Sequence, residues 1–162
     1  MSGRNSTYRL VQISGTGSVV TLVERGGSAR SFHVDGVRIA DLQPIIRANI
    51  KPDTRLMTDE MPSYKEIGKE FTSHETVNHR KDEYVRGDVT TNTVEGFYSV
   101  FKRGMKGTYQ HCKEKHLHRY LCEFDFRYSN RIALGVDDVA RAERALKGIS
   151  GKRLTYRTTN HG

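Results

Sequence analysis

The sequence predicts an α/β domain whose sheet mixes antiparallel and parallel pairs, and three observations carry that prediction. Three β-prone runs follow one another near the start: YRLVQIS, SVVTLVE and SARSFHV. A short apolar run, TRLMT, comes after a stretch of helical spacing, which suits a buried strand reached by a crossover. The remainder reads mainly as amphipathic helix. A chain of 162 residues suits one domain and is long enough to bury a core.

The elements follow in order. Residues 1–7, MSGRNST, predict a disordered start. Gly26-Gly27 separates the second and third β runs, a hairpin signal because glycine accepts positive φ. Ile39, Leu42, Ile45, Ile46 and Ile50 recur near helical spacing and predict a helix over about Arg38 to Asn49, with a kink or an end at Pro44 and a stop at Pro52. TRLMT then reads as a buried strand with Asp59 and Glu60 at its carboxyl end. SYKEIGKEF is a short helix, and HETVNHRKDEYVRGDVTTN is mostly loop with a short strand around Thr76–Asn78. TTNTVEGFYSVFKRGMKG, Thr90 to Gly107, is the next helix. KEKHLHRYLCEFDFRYSNR is another, with Leu117, Tyr120, Leu121 and Phe124 on one face, and DDVARAERALKG is the last. The domain spans 8–150, and a basic tail occupies 151–162.

Composition narrows the function. Lys and Arg outnumber Asp and Glu 27 to 19, a formal charge of +8, and such a balance favours a polyanionic partner through counterion release. The excess is concentrated: residues 102–119 read KRGMKGTYQHCKEKHLHR, in which Glu114 is the one acid. No run approaches the roughly 18 apolar residues of a membrane span. Residues 1–15 show no apolar core of a signal peptide. Cys112 and Cys122 fit reduced thiols in a cytosolic protein better than a disulfide framework.

The helix opening at Asn92 admits two readings. Val94, Phe97, Tyr98, Phe101 and Met105 fall on one side at ~100° per residue, and Glu95, Ser99, Lys102, Arg103 and Lys106 fall on the other. Asn92-x-x-Glu95 matches a capping box, which is the ordinary structural meaning of that spacing. The alternative pairs Glu95 with Asp59, because two carboxylates, one on a strand end and one on a packed helix, can bind Mg²⁺ for phosphodiester chemistry. Lys102, Arg103 and Lys106 would then lie against a nucleic-acid backbone. His111, Cys112, His116, His118 and Cys122 do not match a zinc spacing. Arg127, Tyr128, Asn130 and Arg131 suit a DNA channel in part, with Tyr128 assigned to the core and Arg131 to the surface. Gly15 and Gly17 mark a loop.

Four stretches, LVERGG…RSFHV, LMTDEMPSYKEIGKEF, VNHRKDEYVRGDVTTNTVEGFYSVFKRGMKG and HLHRYLCEFDFRYSNR, together with the closing GKRLTYR, resemble a group of bacterial insertion-sequence transposases of the DDE class (ISXO-type). The likeness runs from Ser18 to Tyr156 and resembles the C-terminal portion of such an enzyme. It implies an RNase H-like catalytic domain, a mixed sheet flanked by helices, lacking here its first strand or N-terminal part. It also implies Mg²⁺ or Mn²⁺ as cofactor, element ends and target DNA as partners, a homo-oligomer on DNA and no membrane. The implied location is the bacterial cytoplasm, at the nucleoid when DNA is bound.

The resemblance places the second catalytic acid at Asp59. It places the third position within TNTVEG, at Asn92 by the group's own description or at Glu95, followed by Lys102, by the wider Glu-x₆-Lys pattern. Asp59 and Glu95 would be the metal ligands. Arg103, Lys106, Lys113, Lys115, Arg119 and Arg131 are the expected DNA contacts. The family's first acid, in a VDE-type motif, has no counterpart: residues 1–34 hold Glu24 as their one acid, and it matches VERGG instead. The expected function is therefore DNA transposition by a truncated, impaired copy. The alternatives are an inactive DNA-binding module or regulator, or a nuclease completed by Asp35 or Glu60.

Overall fold

The computed structural model describes residues 7–13, 18–76, 85–86, 89–90, 92–110 and 112–152. It divides into two compact units, Met1–Ser129 and Asn130–Gly162.

The first unit is built on a five-stranded sheet. Strands β1 (Thr7–Ile13), β2 (Ser18–Glu24) and β3 (Ala29–Val34) run antiparallel to one another, and β4 (Arg55–Thr58) and β5 (Ser73–Thr76) are added parallel to β1, in the order β3-β2-β1-β4-β5. The hairpin between β2 and β3 turns at Gly26, whose φ of 65° a side chain would resist, and Gly27 N–H donates to the Glu24 carbonyl at 3.0 Å. Register is tight: Leu22 faces Arg30 and Val23 faces Ala29 across β2 and β3, while Tyr8 faces Leu56 across the parallel pair.

Helix α1 (Ile39–Asn49) makes the crossover from β3 to β4. Arg38 caps it: the Arg38 N–H donates to Asp41 Oδ2 at 3.1 Å, and the helix continues through Pro44. The kink or stop expected at Pro44 is overridden because α1 buries Leu42 on one side of that residue and Ile46 on the other, both fully enclosed. Helix α2 (Pro62–Gly68) starts with proline at its first position, where the missing N–H costs nothing. The strand expected at Thr76–Asn78 begins earlier, at Ser73, and Val77 and Asn78 lie outside the described residues. A two-stranded ribbon, β6 (Val85–Arg86) with β7 (Val89–Thr90), falls within the segment read as loop.

Helix α3 (Asn92–Gly104) runs on into a π-helical turn, Met105–Tyr109, and α4 (Leu117–Ser129) follows a 3-10 turn at Glu114–His116. All five central residues of β2, Val19 to Val23, are buried, because helices cover both faces of the sheet. Val20 and Leu22 join Leu42, Ile46, Leu56, Tyr64 and Ile67 on the α1–α2 side. Val19 and Val23 join Val94, Phe97, Tyr98, Phe101, Leu121 and Phe124 on the α3–α4 side. The amphipathic split read from α3 is the observed one: its apolar stripe is core, and Glu95, Lys102 and Arg103 are exposed.

The second unit holds a 3-10 turn, Ile132–Leu134, ended by Gly135 at φ 74°, and helix α5 (Asp138–Ile149). Asp137 caps α5 by accepting from the Ala140 N–H at 2.8 Å. Arg144 donates to the Asn130 side chain at 2.8 Å and ties the helix to the start of the unit. Among the described residues no helix is long and apolar enough to cross a membrane.

Candidate functional site

Asp59 directly follows β4, half-buried at the carboxyl end of a parallel strand. Its Oδ1 accepts from the Met61 N–H at 3.1 Å, a turn that also starts α2, and its carbonyl accepts from the Thr58 hydroxyl at 2.8 Å. His74 on β5 reaches the same Thr58 hydroxyl at 2.8 Å, and burial holds its pKa below the usual histidine value. Tyr64 of α2 lies fully buried nearby. Among the described residues its hydroxyl finds no hydrogen-bond partner, and burial followed by the negative Asp59 pushes its pKa up.

Helix α3 carries the other expected catalytic positions. Asn92 is its first residue, Glu95 lies exposed in its first turn, and Lys102 and Arg103 lie exposed in its last. The proposed capping contact of the Asn92 side chain falls outside what is described. Lys106 is exposed in the π turn, so the cations of this face continue along one helical path. Lys113, Lys115 and Arg119 are exposed between that turn and the first part of α4. They form one electrostatic cluster with His116, whose pKa is lowered by desolvation and then by Lys115, Arg119, His118 and Lys113. Arg131 belongs to the second unit and is half-buried.

The orientation of α3 depends on contacts that spacing did not reveal. The buried Tyr98 hydroxyl donates to Thr21 Oγ1 at 2.8 Å, Thr21 and Ser31 hydroxyls meet at 2.9 Å, and Ser31 donates to Asp125 of α4 through its hydroxyl at 2.7 Å and its N–H at 2.6 Å. A polar chain thus links α3 to α4 across β2 and β3. Burial raises the Asp125 pKa, and the two Ser31 hydrogen bonds oppose that rise. No residue type in this chain looks functional when read alone, which is why periodicity missed it.

The expectation of Mg²⁺ or Mn²⁺ is corrected by the structure. Among the described residues no group of three or more His, Cys, Asp or Glu side chains comes together to hold a metal ion. The reason is visible in the central strand. β1 reads TYRLVQI and carries no acid, although it is the strand that pairs with β4 just before Asp59. A hard divalent ion is held by few protein carboxylates, so each one weighs heavily in its binding.

The profile of the ISXO2-like transposase domain matches residues 3–129. The chain belongs to that family. An uncharacterized transposase-like protein of Haemophilus influenzae is 30 % identical over 97 residues, covering 60 % of this chain and 77 % of that protein. The catalytic core domain of BIV integrase superposes with a TM-score of 0.58 at 14 % identity, covering 91 % of this chain and 98 % of that one. At that identity the likeness establishes the fold, which is the RNase H-like, integrase-core arrangement. The domain is partial relative to the family's full domain.

Proposed function

We propose that this member of the ISXO2-like transposase family holds DNA but does not cut it by itself. The observation that carries the reading is the acid-free central strand, TYRLVQI, beside an intact Asp59. Asp59 and the third position on α3, Asn92 or Glu95, are the surviving parts of a catalytic set that lacks its first member. The DNA-facing side is argued from charge. Lys102, Arg103, Lys106, Lys113, Lys115 and Arg119 are exposed over one continuous stretch, and the chain carries a formal charge of +8. In this reading Lys102 contacts the backbone, and Arg131, in the second unit, is a separate candidate contact.

Two measurements on the full chain test it. Fluorescence anisotropy with a duplex oligonucleotide should show affinity that falls steeply with salt, and Lys102→Ala and Lys106→Ala should each reduce the slope of log K against log salt by about one. Supercoiled plasmid incubated with the protein, with and without Mg²⁺, should remain supercoiled. Nicking that disappears in Asp59→Ala would overturn the non-cutting half of the proposal, and salt-insensitive or absent binding would overturn the other half.

A further inference from the structure

A surface pocket of about 420 Å³ opens between the end of α3, the π turn and α4, within the size range of small-ligand sites, roughly 300–1,000 Å³. Its walls include Val100, Arg103, Tyr109, Glu123, Phe124 and Arg127. The local backbone is unusual there. The π turn at Met105–Tyr109 is a feature frequent at functional sites. It ends at Gln110, whose φ of 47° is the one positive φ of a non-glycine among the described residues. Gly104 lets the turn close onto α4, because a Cβ there would collide with the Phe124 ring.

The pocket's chemistry is divided into three parts. Phe124 and Tyr109 form an aromatic wall fixed by edge-to-face packing on Phe101 at 5.1 Å and on Tyr120 at 4.6 Å. Glu123 is a carboxylate acceptor held in place by the Tyr109 hydroxyl at 2.6 Å and by the Arg127 guanidinium at 2.8 Å. Arg103 is exposed, and no described residue pairs with its guanidinium. A bare anion would meet Arg103 but be repelled by Glu123. The set matches a ligand with a flat apolar body, an N–H edge and one negative end.

We propose that this pocket receives a single unpaired nucleotide of DNA. The base lies along the Tyr109–Phe124 wall, its N–H edge faces Glu123, and its phosphate meets Arg103. The inference rests on the DNA-holding reading above, and it adds a preference. A base inside a duplex has its faces stacked and its edge paired, so only an extrahelical or single-stranded nucleotide can enter. Arg103 lies between Lys102 and Lys106 on the cationic side of α3, so a backbone following those lysines passes the pocket's mouth.

The test compares binding of the full chain to a blunt duplex and to the same duplex carrying one bulged nucleotide, by anisotropy at fixed salt. The bulged duplex should bind on the order of tenfold more tightly. Val100→Trp, at a side chain 56 % exposed, should fill the pocket without disturbing the core, remove the preference and leave blunt-duplex affinity unchanged. Equal binding of both duplexes would overturn the pocket while the DNA-holding reading stands. A preference that survives Val100→Trp would also overturn it. No binding to either duplex would overturn both.

Discussion

The two faces of the sheet are closed in different ways. On the α1–α2 side, Leu42, Ile46, Leu56 and Ile67 form an apolar cluster, its one short polar link joining Thr58 to His74 at the edge, and among the described residues the buried Tyr64 hydroxyl has no partner. On the α3–α4 side the aromatics Phe97, Tyr98, Phe101 and Phe124 surround a polar chain that runs from Tyr98 through Thr21 and Ser31 to Asp125. Apolar packing is non-directional and tolerates small slips, whereas hydrogen bonds of 2.6–2.9 Å lock helix register. The locked side is also the one whose outer surface bears Glu95, Lys102, Arg103 and the nucleotide pocket. The lesson is that the shell supplies stability and the threaded side supplies position.

The contrast between the two faces has four measurable consequences, the largest in folding stability. Ile46→Ala, at a fully buried site on the apolar side, should cost about 3 kcal/mol of unfolding free energy in urea titrations, from lost burial and the cavity left behind. Asp125→Ala should cost about 2 kcal/mol, because it leaves the Ser31 N–H and hydroxyl without their acceptor. It should also weaken duplex binding if α3 and α4 lose their alignment, which Ile46→Ala of similar cost should not do.

The two buried tyrosines give opposite signs. Tyr98→Phe removes a satisfied hydroxyl and should lose about 1 kcal/mol, whereas Tyr64→Phe removes an orphaned one and should be neutral or stabilising by up to about 1 kcal/mol. Equal destabilisation by both would end the distinction between the faces.

The smallest effect is on pH dependence. Because burial raises the folded-state pKa of Asp125, its protonated form is favoured in the fold. Its contribution is therefore fully present below the ordinary aspartate pKa and is lost as pH rises through the raised folded value. The stability of the wild type relative to Asp125→Asn should accordingly decline as pH is raised from the acid end through that value, measured by urea unfolding at a series of pH values. A difference that grows with pH would mean that the Ser31 hydrogen bonds outweigh burial.

Much of the fold was legible. Strand β2 could be read from its β-prone, largely apolar run, the β2–β3 turn from paired glycines, and the core face of α3 from its aromatic spacing, since each is a local consequence of period and turn chemistry. The N-terminal boundary of β5, the passage of α1 through Pro44 and the π turn after Gly104 were not legible. Each is decided by what packs against it: Arg55 paired with Glu75 at 2.6 Å, Leu42 and Ile46 under the sheet, and Phe124 against Gly104.

The candidate site divides in the same manner. The sequence alone determined that Asp59 ends a buried strand, that α3 bears cations opposite its core face, and that residues 1–34 contain no Asp. It could not determine which strand stands beside β4, because strand order is a matter of non-local pairing. Only the tertiary structure put the acid-free TYRLVQI at the centre of the sheet next to β4, joined Tyr98 to Asp125 through two hydroxyls, and set Arg103, Tyr109 and Glu123 around one pocket. Side chains far apart along the chain acquire shared chemistry only when packing brings them within hydrogen-bonding reach.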